Sequence, residues 1–179
     1  MRKLKNEELN RLSVEEFRKA EKVPIVLILD NIRSLNNVGS SFRTADAFLL
    51  EKIFLCGITG QPPHREINKT ALGATESVSW EYKPDARILV EKLREESYQV
   101  ISVEQADRGI PLHNFSPERQ KLALIFGNEI NGVSEELIGL SDSVIEIPQF
   151  GTKHSLNIAV SIGIVSWDLL CKLNRFRHE

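Results

Sequence analysis

Asparagine, arginine, glutamate and serine recur in three stretches that lie far apart in the chain but are built alike. The first is Asn36-Asn37-Val38-Gly39-Ser40-Ser41-Phe42-Arg43, and the second is Gly127-Asn128-Glu129-Ile130-Asn131-Gly132. The third runs from Ile147-Pro148-Gln149 through Lys153-His154 to Ser155-Leu156-Asn157. Arg43 is set among Phe42, Ala45 and Ala47, where a guanidinium needs a counter-charge or an anionic ligand. Glu129, flanked by Phe126, Gly127 and Ile130, is a carboxylate that must be either paired or used. One structural ion pair between Arg43 and Glu129 answers both demands as well as an active site does. Plainer readings exist for the others. Asn37 and Ser155 are good helix caps, and Asn131-Gly132 is turn chemistry.

Several other chemistries lack their residues. No G-x-G-x-x-G follows a strand, and neither a G-x-x-x-x-G-K-[ST] nor a G-x-S-x-G is present. His64, His113, His154 and His178 are scattered, without cysteine or carboxylate at ligand spacing, so no metal is expected. His154 and Ser155 are adjacent, and neighbours at a helix start rarely face each other as a base and nucleophile must.

The elements that must position the three stretches follow from hydrophobic pattern. Branched apolar runs at 25–29, 52–58, 77–82, 98–104, 121–126 and 143–147 read as buried strands. Helical patterns at 38–50, 84–96, 133–140 and about 155–174 alternate with several of them. This predicts an α/β fold, a mostly parallel sheet flanked by helices on both faces. In such a sheet every strand-to-helix turn opens on the carboxyl edge, where ligands bind. Asn37, Arg43, Asn128, Glu129, Ser155 and Asn157 are therefore expected to converge. Ser13-Val14-Glu15-Glu16 is a capping box that starts a helix to about Lys22, so residues 1–22 form a helical arm and 23–179 the main domain. The long loops 60–66 and 106–120 carry no predicted element.

A chain of 179 residues is long enough for one well-buried core, and a formal charge of −2 advertises no polyanion partner globally. Cys56 and Cys171 fall in apolar runs and read as buried free thiols. No apolar leader or membrane-length stretch is visible, so the expected address is the cytoplasm. Lys172, Arg175 and Arg177 near Phe176 either touch phosphate or balance a helix dipole.

Taken together, the stretches resemble the SpoU/TrmH class of the SPOUT superfamily, the RNA ribose 2′-O-methyltransferases. The resemblance rests on Asn37-x-Gly39-x-x-x-Arg43 with RTADA, on "ALGATESV" (71–78), on "LIFGNEINGVSEE" (124–136) and on "IPQFGTKHSLNIAVSIG" (147–163). It covers roughly residues 24–172. It implies a C-terminal deep trefoil knot, about 121–165, which general topology rules would not suggest. It implies S-adenosylmethionine (SAM) as cofactor, held by Gly127, Asn128, Ile147, Gln149 and Leu156, largely through main chain. Gln149 departs from the methionine frequent at that position. Arg43, Asn37, Glu129, Ser155 and Asn157 would be the catalytic set, with Arg43 on a substrate phosphate or taking the 2′-hydroxyl proton. A homodimer is implied, with no N-terminal RNA-binding domain ahead of the core. The final helix, apolar almost all round from Ile158 to Leu170, agrees with an interface or knot role. The substrate expected first is tRNA, at a D-loop guanosine, with 23S rRNA as the alternative. A non-catalytic RNA-binding protein retaining the fold is the rival from another class. It would be expected to lose Asn37, Arg43, Glu129 or Asn157, and all four are present. An unknotted nucleotide-binding protein would want the absent glycine-rich phosphate loop.

Overall fold

The apolar run Val23–Asp30 forms β1, the strand on which the molecule is organised, and both of its faces are buried. In this computed structural model, which describes residues 1–175, seven parallel strands make one sheet in the order β3-β2-β1-β6-β4-β7-β5. The others are β2 (Leu50–Cys56), β3 (Trp80–Lys83), β4 (Gln99–Val103), β5 (Ile110–Pro111), β6 (Leu122–Phe126) and β7 (Ser143–Glu146). Side chains alternate across β1. Ile25, Leu27 and Leu29 join one core, while Val26 and Ile28 join the other. A strand buried on both faces is continuously apolar, and that is why it was legible as a run.

Helices cover both faces, as expected. On the first lie α1 (Val14–Lys19), α2 (Leu35–Ala47), α3 (Arg65–Ala71), α4 (Ala74–Ser77) and α7 (Ile158–Lys172). The second is covered by α5 (Ala86–Glu95) and α6 (Glu135–Leu140). The capping box at Ser13 and Glu16 forms as read, and α1 is fixed by burial of Phe17 and by Arg18 donating to the Glu76 carbonyl at 2.5 Å. α3 and α4 occupy sequence with no predicted helix. Ser77, placed at the start of a strand, instead closes α4 and donates to the Asp46 carboxylate. β5 is an edge strand of two residues inside a loop, a position that tolerates its Pro111.

Two expectations are corrected. Cys56 is buried, and burial first, then the Asp30 and Asp85 carboxylates, pushes its thiol up to about 12, whereas Cys171 is exposed on α7. α7 is also not covered all round. Ile162, Val165, Leu169 and Leu170 enter the core, while Val160, Ile164 and Trp167 stay exposed. At its end Lys172 pairs with Asp168 at 2.5 Å and donates to the Leu112 carbonyl. Phe176, Arg177 and His178 lie outside the described residues.

Gly39 sets how closely α2 and α3 pack. A Cβ there would meet the Thr70 hydroxyl at 2.1 Å and the Ile67 carbonyl oxygen at 2.3 Å. Thr70 also donates to the Asn36 carbonyl at 3.0 Å, so the two helices are bonded where they touch. The backbone that this glycine admits is therefore that of α3.

Candidate active site

Four adjacent strands, β1, β6, β4 and β7, end on one edge of the sheet, and the loops leaving them enclose a cavity of about 500 Å³. Nine of the ten residues singled out in the sequence line it: Asn37, Gly127, Asn128, Glu129, Ile147, Gln149, Ser155, Leu156 and Asn157. Arg43 does not. It is exposed on α2 and, among the described residues, makes no hydrogen bond or ion pair.

The Glu129 carboxylate is satisfied differently from the ion pair considered above. It accepts from the backbone N–H groups of Arg33 at 3.0 Å and Ser34 at 3.1 Å, where α2 begins, and from the Asn37 amide at 3.3 Å. Helix N-termini carry unpaired N–H groups and partial positive charge, so a carboxylate is well placed there. Burial pushes the Glu129 carboxyl up, but donors from Arg33, its own backbone, Ser34 and Asn37 outweigh that and hold it below the usual value.

Asn37 is free for this because it is not the cap. Ser34 caps α2, accepting from the Asn37 N–H at 3.3 Å from an extended backbone. The Asn37 side chain then donates to Glu129 and accepts from the Asn157 amide at 3.1 Å. Asn157 in turn caps α7 by accepting from Ala159 at 2.9 Å, the role considered for Ser155. Glu129, Asn37 and Asn157 thus form one hydrogen-bonded chain that joins the ends of β6, β1 and β7.

Asn128 is an architectural residue of the same edge. Its side-chain oxygen accepts from the Ile130 and Asn131 N–H groups, shaping the turn, and its side-chain amide donates to the Asn31 carbonyl at 2.8 Å. Gly127 lies under the same turn, where a Cβ would strike the Gly132 carbonyl at 2.2 Å and the Val133 nitrogen at 2.3 Å. The carboxyl end of β4 also contributes. Glu104 accepts from the Val133 N–H at 2.9 Å and from the Gln105 N–H at 2.8 Å, and Gln105 donates to the His154 carbonyl at 3.0 Å. Neither residue was singled out in the sequence, although the edge argument applied to β1, β6 and β7 reaches β4 as well.

The lining suits a cofactor that is part apolar and part cationic. Val103, Phe126, Ile147, Leu156 and Ile158 offer apolar surface, while Glu104, Glu129 and Glu146 bring carboxylates. The volume lies within the range of small-molecule sites. Among the described residues no group of His, Cys, Asp or Glu is placed to hold a metal.

With this geometry in place, the comparisons with known proteins define the class. Residues 24–167 match the model of the SpoU rRNA methylase family, and the chain belongs to that family. The chain is 25% identical over 151 residues to a tRNA (guanosine(18)-2′-O)-methyltransferase of Borreliella burgdorferi, spanning 84% of this chain and 68% of that protein. The fold matches the A. aeolicus TrmH/SpoU tRNA modifying enzyme with a TM-score of 0.80 at 19% identity, covering 90% and 83% of the two chains. An AdoMet-bound rRNA methyltransferase from Sinorhizobium meliloti matches with a TM-score of 0.76 at 25% identity, over 88% of this chain and 60% of that one.

Proposed function

We propose that this protein is a SAM-dependent RNA methyltransferase that methylates a ribose 2′-hydroxyl, with tRNA, at a D-loop guanosine, as the substrate. The observation that carries the reading is the hydrogen-bonded chain Glu129–Asn37–Asn157 at the mouth of the cavity on the carboxyl edge. Family membership and the relative that acts on guanosine 18 of tRNA support it. Ribosomal RNA is the second reading, favoured by the likeness to the S. meliloti enzyme.

Residues of the cavity fit SAM. Gly127, Asn128, Ile147, Gln149 and Leu156 would hold it, with the carboxylates complementing its positive charge. When bound, SAM supplies a methyl group already activated by a sulfonium. The protein's task is alignment of the 2′-oxygen and stabilisation of the charge that develops on it. The 2′-hydroxyl is also what separates RNA from DNA at the target. Asn37, held between Glu129 and Asn157, presents a fixed amide to the ribose. Ser155, exposed at the rim, contacts the substrate beside it. Arg43 acts as a cation on the adjacent phosphate. A guanidinium is effectively always protonated, which favours this phosphate contact over a base role.

The working unit is a homodimer joined through α7, where exposed Val160, Ile164 and Trp167 lie beside an apolar groove containing Phe48, Leu112 and Pro148. Its domain plan is an arm, residues 1–22, and a methyltransferase domain whose 121–165 segment is knotted. The cytoplasm is its place of action. Among the described residues no helix is long and apolar enough to cross a membrane.

The test is Arg43→Ala. Fold and SAM binding are expected to persist while methyl transfer falls by two or more orders of magnitude, roughly the scale of losing one preorganised charge contact. The product should resist alkaline hydrolysis at one phosphodiester. Loss of SAM binding in the variant would overturn the role of Arg43, and base methylation without alkali resistance would overturn the ribose assignment.

A further inference from the structure

The wall of the cavity formed by residues 147–156 has no helix or strand, and it carries Gln149, Ser155 and Leu156. Among the described residues one hydrogen bond ties this ten-residue segment to the rest of the fold, that from the Gln105 side-chain amide to the His154 carbonyl, 3.0 Å. The opposite wall, Gly127–Val133, is held from the same place. Glu104 accepts from Val133 on that wall and from the N–H of Gln105. Two consecutive residues at the end of β4 therefore set the spacing between the two walls.

We propose that Gln105 is a positioning residue for cofactor binding. Its amide pins the 147–156 segment over the cavity and Glu104 locks the opposite wall, so that the pair sets how tightly SAM is retained. The inference rests on the reading that the cavity holds SAM and goes beyond it by assigning retention to a strand end outside the family's three stretches. The physical logic is preorganisation. A segment with few bonds of its own must be ordered each time ligand binds, and a fixed anchor removes part of that cost. Gln105 is exposed at the rim, where its bond to His154 is free to break and re-form as ligand enters and leaves.

The experiment compares the full chain with Gln105→Ala and with Gln105→Met, which keeps side-chain length and loses the donor. SAM and S-adenosylhomocysteine binding would be measured by titration calorimetry, their dissociation by stopped flow, and steady-state constants with tRNA. Both variants are expected to bind about five- to tenfold more weakly, the scale of one hydrogen bond, with the change in the dissociation rate. KM for SAM rises by the same factor, kcat at saturating SAM is retained, and KM for RNA does not move. A merely structural role would instead lower the melting temperature and kcat together. Wild-type affinity in Gln105→Met would overturn the inference, because packing alone would then suffice. A wild-type chain that binds neither ligand would overturn the SAM reading, and this inference with it.

Discussion

Replacing Gly39 by alanine tests whether the α2–α3 contact holds the substrate side of the cavity in place. The added Cβ would sit 2.1 Å from the Thr70 hydroxyl, 2.3 Å from the Ile67 carbonyl oxygen and 3.1 Å from the Ala71 nitrogen. Two of these three neighbours are backbone, which cannot rotate away. Overpacking costs about 1–3 kcal/mol, and the upper part of that range applies where backbone must shift. Alanine's better helix propensity returns up to about 1 kcal/mol. The net expectation is a loss of about 2 kcal/mol, or a midpoint about 4–8 °C lower for a chain of this size. Because α2 must move, Ser34 and Asn37 move with it, and with them the donors on Glu129. Methyl transfer should therefore fall more than SAM affinity, since Gly127, Asn128, Ile147, Gln149 and Leu156, the residues assigned to SAM, are not on α2. Urea unfolding followed by circular dichroism gives the stability, and calorimetry gives the affinity. Thr70→Ala in the same background removes the hydroxyl but leaves the Ile67 carbonyl, so it should rescue only partly. Equal or greater stability in Gly39→Ala, or full rescue by Thr70→Ala, would refute the reasoning.

Glu129→Gln keeps the shape but supplies one acceptor where the carboxylate offers two, and it turns an amide toward backbone donors. The variant should be less stable at neutral pH and nearly inactive in methyl transfer. The folded-state pKa of Glu129 lies below the usual 4.5, so its stabilising contribution is present above that value and is lost as pH falls through the folded value. The gap in urea midpoint between wild type and variant should thus be constant near neutrality and vanish in acid, and a gap unchanged in acid would refute the carboxylate role. Trp167→Glu puts a charge on a residue 54% exposed in the single chain. Sedimentation equilibrium should show a dimer become a monomer, and a persistent dimer would place the interface away from α7.

Strands β1, β2, β4 and β6 were legible because they are largely buried runs rich in branched residues, and those need no partner to be read. α3 was not. Its seven residues bury only Ile67 and Ala71, too few to show a helical period, and it follows a proline pair that reads as loop. The helix starts were misplaced by two or three residues where several polar side chains compete. Ser34 and Asn37 both suit a cap, and so do Ser155 and Asn157. Sequence cannot rank them, because the choice depends on which side chain has a tertiary partner. Asn37 is drawn away from capping by Glu129 and Asn157. Convergence of the three stretches was legible from topology alone, whereas Glu104 and Gln105 were hidden inside an ordinary strand end.

The charges that first suggested a site prove to be separated. The sequence argued that Arg43 and Glu129 each needed a partner, and one ion pair would have closed both accounts. Instead, the Glu129 carboxylate is held, still ionised, by backbone N–H groups at the start of α2 and by Asn37, a solution that uses no cation. Arg43 is left on the solvent face with no ion pair among the described residues. Among the described residues that line the cavity are Glu104, Glu129 and Glu146, and neither lysine nor arginine. An acidic interior favours a cationic methyl donor, and a bare guanidinium on the neighbouring helix favours a polyanionic acceptor. Under the proposed function, pairing the two residues would cancel that separation, removing an acidic pull on SAM and a basic pull on RNA. The hydrogen-bonded turn that satisfies Glu129 needs no cation, and the proposed phosphate contact of Arg43 does not compete with it.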